Sequence, residues 1–128
     1  MYFYSPEERE RKALFGDITA RTFWGEKMLI SLVDLPANSV VPMHSHPHEQ
    51  VGMMIRGEAT FTVGGETRTL KEGDIWVIPG DVEHMVETGP EPGLASNSGP
   101  GAAPSGGCSK KLSSLCRARS WLNCRRNA

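Results

Sequence analysis

Short strand-like runs separated by turns recur from residue 18 to residue 88, and no helical period intervenes. The runs are rich in β-branched and aromatic residues and are bounded by Gly, Pro, Asn and Asp, as strands in an antiparallel meander are. They are ITARTFW, MLISLVDL, SVVPMHSH, QVGMMIRG, EATFTV, TRTL, DIWVIP and EHMVE. Many short strands of this kind predict an all-β sandwich or barrel.

Two of the runs predict which faces are covered. In EATFTV the apolar residues Ala59, Phe61 and Val63 alternate with threonines, which predicts one buried and one wet face. The run MLISLV is apolar on both faces, and a barrel covers only one of them. We therefore expect a homodimer in which a second copy covers the outer face. The alternative is that the N-terminal segment folds over it.

The predicted barrel has a different kind of sequence on each side of it. The start Ser5-Pro6-Glu7-Glu8 combines a capping residue, a proline suited to the first helical turn and two acids, which predicts a short helix over residues 6–12. We assign residues 1–16 to an N-terminal arm, residues 17–91 to the barrel and residues 92–128 to a tail.

The tail differs from the barrel in composition and charge. Fourteen of the 16 residues from 92 to 107 are Gly, Pro, Ala or Ser, which predicts an irregular, disordered tail. All 15 Asp and Glu precede residue 92, whereas six of the 14 Lys and Arg follow it. A frameshift in a GC-rich gene would produce the same change and would remove the last strands of the barrel. The tail also holds the three cysteines, predicted to be free thiols, at positions 108, 116 and 124.

The charge and hydropathy of the whole chain favour no macromolecular or membrane partner. The net charge of −1 indicates neither nucleic-acid nor membrane binding. No apolar run approaches the length of about 18 residues that a membrane span needs. The N-terminus lacks the basic-then-apolar order of a secretion signal, and we expect a cytoplasmic protein.

The segment HSHPHEQ, residues 44–50, carries the chemistry of the chain. In an extended strand residues i and i+2 face the same side, so His44 and His46 are expected to project together. Two imidazoles so placed can share a metal ion. Gln50, after the Pro47 bend, and His84, after a second strand, are the expected further ligands. His48, which has the same strand parity, and Glu49 are the rivals of Gln50.

The spacing of these residues resembles the cupin superfamily. Its first motif, G-x5-H-x-H-x3-E-x6-G, is matched in register by Asn38, His44, His46, Gln50 and Gly57. Its second motif, G-x5-P-x-G-x2-H-x3-N, is matched by Gly73, Pro79 and His84, with Asp81 and Thr88 in place of Gly and Asn. The resemblance implies a small cupin β-barrel, a jelly roll or double-stranded β-helix, over about residues 17–90.

Each departure from the two motifs can be explained by the properties of the residue that replaces the expected one. Asn38 replaces a glycine, and asparagine also tolerates a positive φ. Gly80, one place before the expected glycine, is expected to give the second turn its freedom. Gln50 replaces a glutamate and supplies a neutral oxygen, so three imidazoles and an amide leave the charge of a divalent ion uncancelled. Such an ion attracts anions and acts as a strong Lewis acid.

Within the superfamily the chain looks most like the small cupins that linearise 4,5-unsaturated uronates in pectin and alginate degradation. That resemblance implies one divalent transition metal (Fe, Ni, Zn, Mn or Cu) held by His44, His46, Gln50 and His84, and a small anionic sugar or keto acid as ligand. The acidic, aromatic and arginine residues that follow the last ligand in that group have no match here, so we name no catalytic residue. A metal-dependent dioxygenase and a non-catalytic ligand-binding cupin are the alternatives, and whether the chain is an enzyme stays open.

Overall fold

The computed structural model describes residues 2–100, which form two antiparallel β-sheets that enclose a shared apolar core. The larger sheet has the strand order β1-β2-β3-β10-β5-β8, and the smaller has the order β4-β9-β6-β7. The strands are β1 (Lys12–Phe15), β2 (Ile18–Trp24), β3 (Met28–Leu35), β4 (Val40–His44), β5 (Gln50–Arg56), β6 (Ala59–Val63), β7 (Glu66–Leu70), β8 (Ile75–Ile78), β9 (His84–Thr88) and β10 (Gly93–Pro100). The predicted all-β barrel is confirmed.

The core lies between the sheets and is built from one side of nearly every strand. Phe61 of β6 stacks against Trp76 of β8 with ring centroids 4.4 Å apart, which joins the two sheets. The most deeply buried apolar side chains are Ile18, Met54 and Ile78. The predicted alternation in β6 is present, because Ala59 and Phe61 are buried while its threonines bond to threonines of β7.

The N-terminal arm is less helical and more strand-like than predicted. The helix is a single 3-10 turn, Pro6–Glu8, and Ser5 makes no side-chain capping bond. The expected continuation to residue 12 is wrong, because Arg9 is extended and Lys12–Phe15 pairs with β2. Pairing with an existing strand edge therefore outweighs the local helix signals. No helix found in residues 2–100 has the length and apolar character that crossing a bilayer requires.

The start of the predicted irregular tail is a strand at the centre of the larger sheet. Strand β10 pairs with β3 along all eight of its residues, from Gly93–Leu35 to Pro100–Met28, and with β5 on its other side. The predicted boundary at residue 91 is therefore wrong for residues 93–100. Two partner strands supply the ordering that the sequence of β10 does not. Residues 101–128, with the rest of the predicted tail and its three cysteines, lie outside the described residues.

Two non-glycine residues adopt a left-handed backbone at turns next to the strands that carry the histidines. Asn38 has a φ of 54°, as its place in the motif predicts. Asp81 has a φ of 65°, so Asp81 itself, and not Gly80, supplies the positive φ of the second turn. Gly80 has a different role, because a Cβ there would collide with the backbone carbonyl of Pro47.

A methyl group at Gly52 is expected to destabilise the barrel. Gly52 of β5 lies between the carbonyl oxygen of Ser96 and the indole of Trp76, and a Cβ would collide with both. We expect Gly52→Ala to lower the unfolding free energy by about 1–3 kcal/mol, the usual cost of overpacking. Urea denaturation measures this change.

The matched control is Gly25→Ala, where the nearest atom to a new Cβ is the Met28 carbonyl oxygen at 3.9 Å. It is expected to change the unfolding free energy by less than about 0.5 kcal/mol. Equal urea midpoints for the two variants would contradict the packing described for β5 and β10.

Candidate metal centre

Three histidines meet at one end of the space between the sheets. His44 ends β4 and His84 begins β9, and the two residues are direct cross-strand partners. Their ring centroids lie 4.2 Å apart. His46 follows β4 in a loop, and its backbone carbonyl accepts a 2.7 Å hydrogen bond from the Asp81 N–H. That bond joins the loop after β4 to the turn before β9.

The strand parity used to predict the His44–His46 pair is only partly right. Strand β4 ends at His44, so His46 does not continue it. The two rings nevertheless lie 5.8 Å apart, because the loop turns His46 into the interior, where it is fully buried. The sequence therefore predicted the correct grouping, although the strand ends at His44, two residues before the end of the predicted run.

Each histidine uses its Nδ1 to bond a nearby backbone carbonyl oxygen. His44 bonds to Pro42 at 2.7 Å and His84 to Val82 at 2.9 Å. His46 bonds to the carbonyl of His48 at 2.8 Å. A carbonyl oxygen only accepts, so each Nδ1 carries the proton and each Nε2 of a neutral ring presents a lone pair. This is how metal-binding histidines are oriented in proteins.

The arrangement of the Nε2 atoms is explained better by a bound metal ion than by contacts within the protein. The ligand atoms of His44, His46 and His84 lie within 4.8 Å of one another. The Nε2 atoms of His44 and His84 are buried and have no hydrogen-bond partner. Buried polar atoms without partners are rare and costly, and a bound cation satisfies both of these. Three histidines in this arrangement can hold one metal ion.

Gln50 lies beside the histidines at the start of β5. Its side-chain Oε1 is 3.1 Å from the His46 Nε2, and the residue is buried. Because the Nδ1 of His46 already carries the proton, these two atoms are both acceptors in the neutral state. Two ligands at about 2.1 Å from one ion at 90–109° are about 3.0–3.4 Å apart, which matches the observed separation. This separation agrees with Gln50 as the fourth ligand, which stays a prediction.

The rival ligands are outside this group. Within residues 2–100 the cluster of potential ligands contains neither His48 nor any Asp or Glu. Glu49, Asp81, Glu83 and Glu87 are exposed. The contribution of His48 comes instead from its backbone, whose carbonyl orients His46.

Burial keeps the imidazoles of His44 and His84 uncharged. Burial lowers the pKa of His84 to about 4. The hydrogen bond to the Val82 carbonyl opposes this shift, and the nearby His44 and His46 add to it. Burial also lowers the pKa of His44, with a smaller contribution from His46 in the same direction. Neutral imidazole is the form that binds metals, so His44 and His84 are ready to bind an ion at neutral pH without losing a proton.

His44 and His84 open onto a cavity of about 60 Å³ between the sheets. Ten of its 15 lining residues are apolar and come from both sheets and from β1. The five polar ones are Ser31, His44, Gln50, His84 and Asn97, and among residues 2–100 no Lys or Arg lines the cavity. No sequence signal indicated Asn97, because it lies in the segment predicted to be irregular.

These features define a small β-barrel with a three-histidine centre at the end of an apolar cavity. A family model described as "Cupin domain" matches residues 31–94, and the chain belongs to this family. The predicted cupin resemblance is therefore confirmed. A comparison with curated proteins found no match.

Several solved structures share the fold at low sequence identity. An RmlC-like cupin from Shewanella frigidimarina has a TM-score of 0.72 and 21% identity, over 78% of this chain and 90% of that one. KdgF from Halomonas sp. has a TM-score of 0.71 and 21% identity, over 77% and 93%. The polyketide cyclase RemF from Streptomyces resistomycificus has a TM-score of 0.73 and 17% identity, over 94% and 91%. At these identities the likeness shows the fold alone.

Acidification is expected to destabilise the metal-free protein. The folded pKa of His84 is about 4 against an ordinary value of 6.5, so the unfolded chain binds more protons between these values. The unfolding free energy then falls as the pH is lowered from 6.5 to 4, by up to about 1.4 kcal/mol per pH unit for one such group. Urea denaturation in the presence of a chelator, at steps of pH, measures this slope.

The variant His84→Leu is expected to flatten the slope, since it removes the buried imidazole. His48→Ala, which changes a histidine outside the cluster, is the control and is expected to keep it. A wild-type slope that His84→Leu leaves unchanged would contradict the burial described for this side chain.

Proposed function

We propose that the protein is a metal-dependent cupin that binds a small anionic keto acid on a centre formed by His44, His46, Gln50 and His84. The observation that carries the proposal is the pair of buried, unpartnered Nε2 atoms that point to one location beside an apolar cavity. A divalent transition metal held there supplies Lewis acidity for a carboxylate or carbonyl oxygen.

The charge of the site favours an anionic ligand. The four proposed ligands are neutral, so the ion keeps its charge of +2, and the apolar surroundings strengthen its field. No lysine or arginine of residues 2–100 lines the cavity, which leaves the ion as the one positive charge that the described lining offers. The anionic end of the ligand therefore belongs on the ion.

The lining of the cavity favours a compact keto acid over a sugar. The apolar walls suit a short carbon chain, whereas a uronate would bring several hydroxyl groups without partners. Linearisation of an unsaturated uronate is a more specific alternative, and the resemblance to pectin-degradation cupins supports it.

The protein groups described here support binding and orientation more directly than proton transfer. The three carbonyl acceptors hold the imidazoles in place, and the walls around Phe61 and Trp76 exclude water from one side of the ligand. No Asp or Glu of residues 2–100 joins the cluster, so no acid or base is assigned. Binding with or without turnover is compatible with this arrangement.

Titration with Co(II), whose bound form absorbs visible light, tests the centre. The wild-type chain is expected to bind one equivalent. His44→Ala and His84→Ala are each expected to weaken binding by about 100-fold or more, since each removes about a quarter of the ligand set and its share of the binding energy. His48→Ala is the matched control and is expected to bind as the wild type does.

The same cobalt-loaded protein then reports the ligand class. Pyruvate, a 2-oxo acid, is expected to change the cobalt spectrum at lower concentration than an unsaturated uronate, and neutral acetone is expected to have no effect. Loss of the ultraviolet absorbance of the uronate would instead support the linearising reaction, and oxygen uptake by the iron- or copper-loaded protein would support a dioxygenase. Absence of cobalt binding would refute the centre.

We further propose that the outer apolar face of the larger sheet is covered by a second copy of the chain. This face comprises the exposed side chains Met28, Ile30, Val51, Met53, Ile75 and Val77. The N-terminal segment leaves them uncovered, as Tyr4 reaches only to Phe23 of β2. Since none of the six is charged, the face can meet its own copy across a two-fold axis without like-charge repulsion.

Sedimentation velocity tests this dimer. Ile30→Lys is expected to weaken it by at least about tenfold, because a buried unpaired charge costs more than 1.4 kcal/mol. Val40→Lys is the control, since Val40 is similarly exposed but lies on the smaller sheet. A wild-type monomer, or equal dissociation constants for the two variants, would contradict the assignment.

A further inference from the structure

The amide of Gln50 is held at its nitrogen end, and its oxygen end faces His46. Its Oε1 lies 3.1 Å from the Nε2 of His46, and its Nε2–H donates a 2.9 Å hydrogen bond to the Oδ1 of Asn97. Gln50 is 5% exposed, so water offers little competition for either end. The orientation of the amide is therefore set by the protein.

That orientation decides whether Gln50 can be a ligand. A glutamine amide has nearly the same shape when it is rotated by 180°, but the rotation exchanges an acceptor for two donors. With the NH₂ group toward the histidines, Gln50 would repel a cation. A glutamate at this position would need no such control, since both of its oxygens accept.

Asn97 reaches Gln50 because of the strand register. Asn97 of β10 is the cross-strand partner of Gly52 of β5, which has no side chain. Gln50 lies two residues from Gly52 on the same face of β5, so it is the diagonal neighbour of Asn97. Diagonal neighbours are about 7–8 Å apart, a distance that long side chains can bridge. Strand β10, which the sequence did not predict, thus supplies the acceptor of the Gln50 hydrogen bond.

We propose that Asn97 is a positioning residue that points the Gln50 oxygen at the metal ion. Its Oδ1 accepts the Gln50 amide hydrogen and so disfavours the rotated amide, which makes metal affinity depend on a residue that does not touch the ion. The inference rests on the proposed metal centre and adds to it a residue of β10.

A double-mutant cycle tests the coupling. Co(II) affinity is measured by chelator competition for the wild type, Asn97→Leu, Gln50→Leu and the double variant. Asn97→Leu is expected to weaken Co(II) binding by about tenfold, the lower end of what loss of a supporting hydrogen bond costs a metal site. In the Gln50→Leu background the same substitution is expected to have no effect on affinity.

The cobalt spectrum gives a readout that a general loss of packing would not move. The visible absorption of Asn97→Leu is expected to resemble that of Gln50→Leu, because both lose the amide oxygen. Asn97→Asp keeps the acceptor and is expected to keep the wild-type spectrum. Ser96→Ala, on the same strand but facing outward, is the control and is expected to match the wild type. If Asn97→Leu does not fold, Asn97→Ala takes its place in the cycle.

The outcomes separate this inference from the proposed function. If the wild type binds Co(II) but Asn97→Leu binds it equally well, or loses as much in the Gln50→Leu background, Asn97 does not act through Gln50. If Asn97→Asp gives the Gln50→Leu spectrum, the acceptor role is wrong. If the wild type and all variants fail to bind Co(II), the metal centre itself is refuted.

Discussion

The antiparallel pairing of β4 with β9 places His44 directly opposite His84, and the other parts of the centre are arranged around that pair. The loop after β4 is joined to the turn before β9 by the bond from Asp81 to His46, which brings in the third imidazole. That turn requires a left-handed Asp81 and a Gly80 without a side chain against Pro47. A shift of one residue in the β4–β9 register would turn one of the first two histidines to the opposite face of its sheet.

The surroundings of the histidines determine what they can do. Burial lowers the pKa values of His44 and His84, and three carbonyl oxygens fix which nitrogen of each ring carries the proton. A bound cation would satisfy the two buried Nε2 atoms that have no partner. Among residues 2–100 no Lys or Arg lines the adjoining cavity, and no Asp or Glu joins the histidines.

The fold and the three histidines were predictable because their signals are local. The strand-like runs of β2 through β9, the turn residues between them and the spacing of HSHPHEQ and His84 are all present in short windows of sequence. Even Asn38, in place of a glycine, was predicted correctly from its tolerance of positive φ.

The missed elements depend on contacts between distant residues. Strand β1 is only four residues long and is extended because β2 is beside it, in spite of helix signals just before it. Strand β10 is made mostly of small residues and has a β conformation because β3 and β5 bond to it from both sides. Asn97 could not be placed beside Gln50 without that register, so the hydrogen bond that orients the amide was also missed.

The central place of β10 also affects the order in which the chain can fold. The larger sheet consists of β1-β2-β3 on one side and β5-β8 on the other, and β10, the last strand in the described sequence, joins them. While the chain is being synthesised, β3 and β5 each present an unpaired edge until residue 100 has been made, and such edges are prone to associate with other chains. The pairing of β10 with β3 joins residues that are 58 (Gly93 and Leu35) to 72 (Pro100 and Met28) positions apart, and such a high contact order slows folding. The barrel is therefore expected to close late and in one step.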